Sequence, residues 1–142
     1  PFTIHAGEAD GPESVKAALA CGTKRIGHGV RSKEDSDLVK RLAEEDITFE
    51  CCPKSNLDTK IFANIEEYPF RYYLEQGVHI TINSDNMVVS NTNVIREFQR
   101  LNAAFQLTKE EVKTILQNSV RASFASETLK ATLLQKIDER LP

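Results

Sequence analysis

The sequence predicts an α/β chain built on a parallel sheet. Two observations carry this expectation: short strand-like runs alternate four times with segments of helical periodicity, and everything after Asn91 reads as helix. Strand–helix alternation implies parallel pairing, with helices covering the sheet. Four such units are half of an eight-stranded barrel, a fold that takes ~250 residues, or they make a small open sheet. At 142 residues the chain is one domain's worth.

Phe2-Thr3-Ile4-His5 is the first strand, ending at Gly7. Pro12 pre-sets the first turn of a helix with Val15, Ala18 and Leu19 at helical spacing, and Gly22 stops it. Arg25-Ile26-Gly27-His28-Gly29 is a second, very short strand. Ser32 with Asp35 forms a capping box ahead of Leu38, Val39 and Leu42 on one helical face. Ile47 to Cys52 is the third strand, ended by Pro53, and Lys54 to Thr59 reads as a polar loop. Pro69 starts a helix carrying Phe70, Tyr73 and Leu74, stopped by Gly77. Val78 to Ile82 is the fourth strand, with Asn83-Ser84-Asp85-Asn86 as its exit. Val94, Ile95, Phe98, Leu101 and Phe105 share the face of one later helix. Thr108 with Glu111 caps the next, which bears Val112, Ile115 and Leu116. A last helix runs from about Ser126 with Leu129, Leu133, Leu134 and Ile137.

Composition excludes several classes. With 40% apolar and 27% charged residues the chain is no disordered tail. A net charge of −3, acids and bases interspersed, offers no basic footprint for nucleic acid. No apolar run approaches the ~18 residues of a membrane helix, and no secretory h-region opens the chain. Three cysteines, Cys51 and Cys52 adjacent, make a poor disulfide framework and point to a reducing, cytoplasmic setting. The only Met is Met87 and the opening residues read as mid-strand, so a piece of a larger protein is expected.

Catalytic groups of α/β folds cluster at the carboxyl ends of the strands, and all four strands finish on groups capable of chemistry. They end in His5-Ala6-Gly7-Glu8, Gly27-His28-Gly29, Cys52-Pro53-Lys54-Ser55-Asn56 and Asn83-Ser84-Asp85-Asn86. Singly, each residue has an ordinary structural explanation: Glu8 favours a helix start, and Asp85 and Asn86 suit a turn. Jointly, they bring two imidazoles and several acids to one rim. His79 lies inside the fourth strand and carries no role. Cys51 and Cys52 point to opposite strand faces, one into the core and one toward the helices, so they do not share a metal. Tyr68, Phe70, Tyr72 and Tyr73 have no accompanying basic stripe and read as core.

In order and spacing these four motifs, and the chain as a whole, resemble the C-terminal half of the adenosine deaminase family. The resemblance implies that residues 1–142 are strands five to eight and the terminal helices of a zinc-dependent (β/α)8 barrel. It implies His5 as a zinc ligand, Glu8 as proton donor to the purine ring and His28 as the group that orients or deprotonates the attacking water. Asp85 would be a further zinc ligand that holds that water, and Asn86 would contact the purine. Two departures stand out. The family's His-x-His pair, which supplies the other two zinc ligands, is absent from a chain holding only His5, His28 and His79. Asn86 also replaces the second acid usual at its site.

The chemistry accords with these roles. Replacing a purine amino group by oxygen needs a hydroxide at neutral pH, and zinc brings the pKa of its bound water to ~7. The ring nitrogen must gain a proton as attack proceeds, and a carboxylic acid beside the metal can deliver it. The expected activity is conversion of adenosine or deoxyadenosine to inosine or deoxyinosine plus ammonia, with the isolated chain inactive for want of two ligands. Alternatives are a deaminase of adenine or another aminopurine, or a non-catalytic half-barrel module. An uncovered, apolar inner face and two open edges predict self-association.

Overall fold

A computed structural model describes all residues, 1–142, and its centre is a four-stranded, all-parallel sheet. The strands are β1 (Ile4–Ala6), β2 (Arg25–His28), β3 (Thr48–Cys51) and β4 (His79–Ile82), and their spatial order is their chain order. A doubly wound sheet reverses direction at a switch point, whereas this one does not. Helices α1 (Pro12–Ala20), α2 (Ser36–Glu44), α3 (Pro53–Asp58) and α4 (Phe70–Glu75) lie within the crossovers. Helices α5 (Val94–Phe105), α6 (Lys109–Ala122) and α7 (Glu127–Arg140) follow β4. The fold is a partial (β/α) barrel.

Register sorts the residues between the two sheet faces. Ile4 lies opposite Ile26, Ile26 opposite Phe49, and Phe49 opposite Ile80, forming one apolar row. Ile26, Phe49 and Ile80 are fully buried in the core with Val15, Leu42, Tyr73, Leu101 and Ile115. Truncating Phe49 there would cost about 3–5 kcal/mol. The alternate row reads His5, Gly27, Glu50, Thr81, and another reads Arg25, Thr48, His79.

The second face is therefore polar, which corrects the expectation of an apolar interior. Glu50 accepts hydrogen bonds from Thr3 Oγ1 (2.9 Å) and Arg25 Nε (2.8 Å). Arg25 also reaches the Ala122 carbonyl at 3.1 Å and stacks 4.1 Å over the Phe124 ring. Asn118 of α6 is buried and donates to the Ile80 carbonyl at 3.3 Å, so α6 lies along β4. The inner sheet face therefore adds no apolar surface for self-association, while the sheet edges stay open.

Several local expectations change. The cap of α2 is Asp35, whose side chain accepts from the Asp37 and Leu38 amides, while Ser32 lies buried in a 3-10 turn, Val30–Glu34. Lys54 to Thr59 is mostly helix: Pro53 occupies a first-turn position of α3, where its missing N–H costs nothing. On α5 Val94 and Ile95 are exposed and Glu97 is fully buried, the reverse of the hydrophobic reading. No residue of α7 is buried. The capping box of Thr108 and Glu111 forms as expected. All three cysteines are free, and no helix is long and apolar enough to cross a membrane.

Candidate active site

The site forms where the four strands release their chains. His5 pairs in register with Gly27, and an added Cβ at 27 would stand 3.2 Å from the His5 ring, so glycine leaves room for the imidazole. His28 opposes Ala6 in the ladder. Continued strand alternation would turn it toward the helices with Ile26. Instead it takes a left-handed backbone at φ 67, and its ring lies 5.3 Å from that of His5, centroid to centroid. Asp85, at φ 53, leaves β4 in the same backbone region.

Four of the five sequence-expected residues stand on this rim. His28 is 2% exposed, and its Nε2 lies 3.4 Å from Glu8 Oε2 and 4.0 Å from Asp85 Oδ2. Asp85 Oδ2 also accepts from Ser55 Oγ at 2.6 Å. His5 adjoins as described. Asn86 is exposed on the exit loop, and its Oδ1 accepts from the Val88 and Val89 amides at 3.2 and 3.0 Å. Its Nδ2 makes no hydrogen bond within the chain.

Residues without an assigned role complete the arrangement. Asn56 is fully buried between Glu8, His28 and Tyr68. Glu97, reaching in from α5, accepts from the Lys54 amide at 2.8 Å and from Thr92 Oγ1, tying the β3 exit to the β4 exit. The Ser55-Asn56 pair was visible in its motif. Glu97 gave no signal, since a lone acid on an amphipathic helix reads as solvated. Cys51 is core, its thiol pushed up to about 12 by burial. Cys52 turns to the rim instead of the helices. Burial first, then the neighbouring Cys51 and the Asp85, Glu50 and Glu8 carboxylates, raise its thiol well above the ordinary range.

The donor set suits a metal ion. Ligand atoms of His28, Cys52 and Asp85 lie within 4.8 Å of one another, and His5 offers a second imidazole alongside. Imidazole nitrogen, thiolate sulfur and carboxylate oxygen are all donors that zinc takes. With carboxylate and imidazole side by side, the rim can also pass or orient protons.

The comparisons agree on one family. The family model described as adenosine deaminase matches residues 1–140. An adenosine deaminase of Haemophilus ducreyi is 47% identical over the whole chain, which covers 41% of that protein. A crystal structure of an adenine deaminase from Arthrobacter aurescens superposes with a TM-score of 0.95 at 32% identity, over 98% of this chain and 43% of that one. The N6-methyl-AMP deaminase of Arabidopsis thaliana does so at 0.83 and 25%, over 96% and 40%. The chain thus spans well under half the length of these relatives. Shared sequence and shared architecture give the same answer: the chain belongs to the adenosine deaminase family.

Proposed function

We propose that residues 1–142 supply strands five to eight of a purine deaminase barrel whose reaction is the hydrolysis of adenosine or deoxyadenosine to inosine or deoxyinosine and ammonia. The observation that carries this reading is the convergence of Glu8, His28 and Asp85 on one point of the rim, with His5 alongside. Family members are metal-dependent, and imidazole and carboxylate donors of the kind zinc takes stand side by side on this rim. His5 and Asp85 would hold the ion, and the remaining ligands would come from elsewhere in a complete barrel. When bound, zinc supplies a Lewis acid that lets water lose a proton near neutral pH.

The chain's own residues do the rest. Glu8 is the proton donor to the purine ring nitrogen as water adds at the amino-bearing carbon. The former amino group takes up a proton released by the added water and leaves as ammonia, the water's other proton returns to Glu8, and the ring carbon keeps the oxygen. Asp85, its Oδ2 fixed by the Ser55 hydroxyl, accepts a hydrogen bond from that water and holds it on one face of the ring. His28 stands between the two carboxylates and orients the same water. Asn86 has its Oδ1 committed to the loop, which leaves Nδ2 to donate to a purine acceptor such as N7. Alone, the chain offers only His5 and Asp85 of the proposed ligand set, without a His-x-His pair, and should be inactive.

A second reading, free adenine as substrate, is favoured by the 0.95 superposition on an adenine deaminase. The 47% identity to an adenosine deaminase favours the nucleoside. Values of kcat/KM for adenosine and adenine, measured on the complete enzyme carrying this segment, separate the two. Preference for adenosine is expected, and a preference for adenine would replace the first reading by the second.

A further inference from the structure

Asn56 has no part in the roles given to the four rim residues, yet it touches two of them. Its side chain is wholly buried; Nδ2 lies 3.0 Å from Glu8 Oε1 and 3.2 Å from His28 Nδ1, and Oδ1 accepts from the Tyr68 hydroxyl at 3.2 Å. A carboxyl oxygen that carries no proton only accepts hydrogen bonds, which holds for Glu8 Oε1 even when the acid bears its proton on Oε2, and an amide nitrogen only donates them. The Glu8 contact therefore decides which end of the amide faces His28, and the Tyr68 hydroxyl, which can donate as well as accept, satisfies the oxygen left at the other end. A hydrogen on His28 Nδ1 would point straight at a donor in a buried place.

We propose that Asn56 is a positioning residue that fixes His28 as the tautomer carrying its proton on Nε2. Nδ1 then accepts from the Asn56 amide. Nε2, the nitrogen turned toward Glu8 and Asp85, presents an N–H to the rim. The hydrogen bond made by the rear nitrogen sets what the front nitrogen carries. Of the two tasks open to His28, orienting water and deprotonating it, this tautomer suits the first. That last step rests on the deaminase reading, whereas the tautomer itself does not.

Nitrogen-15 NMR of the chain decides it without any activity assay. Two- and three-bond proton–nitrogen correlations distinguish protonated from bare ring nitrogens, and His28→Gln identifies the His28 signals among the three histidines. The native chain should show a bare Nδ1 and a protonated Nε2. At the same pH, Asn56→Asp places an acceptor at Nδ1 and should move the proton there. Asn56→Leu should leave the two nitrogens averaged, with the His79 signals unchanged. A protonated Nδ1 in the native chain, averaged His28 signals in it, or an unchanged His28 pattern in both folded variants would overturn the proposal. If neither variant folds, the native pattern alone supports or overturns it. Lack of deamination by the complete enzyme would remove the functional reading and leave the tautomer assignment standing.

Discussion

His28 and Asp85 both hold the left-handed backbone that glycine adopts without strain, and each costs of order 1–2 kcal/mol there. In exchange, both side chains turn onto the rim instead of following the pleat of their strands. Gly29, next to His28 at φ 71, makes the turn possible, since an added Cβ would stand 2.5 Å from the Phe49 ring. Gly29→Ala should therefore lose roughly 2–4 kcal/mol, combining left-handed strain with overpacking. Gly27→Ala meets the His5 ring first, at 3.2 Å, so it should cost less than Gly29→Ala and displace that imidazole. Thermal or urea unfolding of both variants measures the difference. Equal stability of the two would show that the crowding at Gly29 is relieved elsewhere.

Helix signals in the sequence were strongest where a specific hydrogen bond enforces them. Thr108 and Glu111, three residues apart, closed the box that starts α6. Pro12 and Gly22 bracketed α1 as their backbone preferences require. Sequence patterns mislead where one residue serves two neighbours. Pro53 does end β3, but it also begins α3, and Glu97 interrupts an apolar face because the β3 exit needs an acceptor. Likewise the rim's acids and imidazoles were legible from strand ends, while Asn56 and Cys52 needed the packed structure to gain meaning.

Glu111 also takes a bidentate contact from Arg71, Nε to Oε1 at 2.6 Å and Nη2 to Oε2 at 3.1 Å. That guanidinium, foremost, holds the Glu111 carboxyl below its usual range. A lowered folded-state pKa means stability that is present above the unfolded value, near 4.5, and lost as pH falls through the folded one. Partial exposure screens the pair, so Glu111→Gln should cost about 1 kcal/mol at neutral pH, and the gap should close in acid. Urea midpoints across that range test it. A gap that persists undiminished at the acid end would assign the loss to the capping box instead of the charge.

As a whole molecule the chain is a barrel sector whose helix side is a continuous apolar core and whose other side is polar, hydrogen-bonded and stacked. That division explains why the functional groups gather where they do. The core row fixes strand order and register, and the strand ends then deliver His5, Glu8, His28 and Asp85 to one place. Under the proposed function this rim is the acid and metal side of a purine-nucleoside deaminase. A chimaera tests it most directly: the chain replaces the matching 41% of the Haemophilus ducreyi adenosine deaminase, with the chain alone as control. Adenosine deamination is followed by absorbance, and bound zinc is measured in the same samples. The chimaera should turn over adenosine and the chain alone should not. Glu8→Gln in the chimaera should keep zinc while losing ~10²–10⁴ in kcat, the usual contribution of a general acid. A folded, zinc-loaded chimaera without turnover, or a Glu8→Gln chimaera of full activity, would contradict the claim.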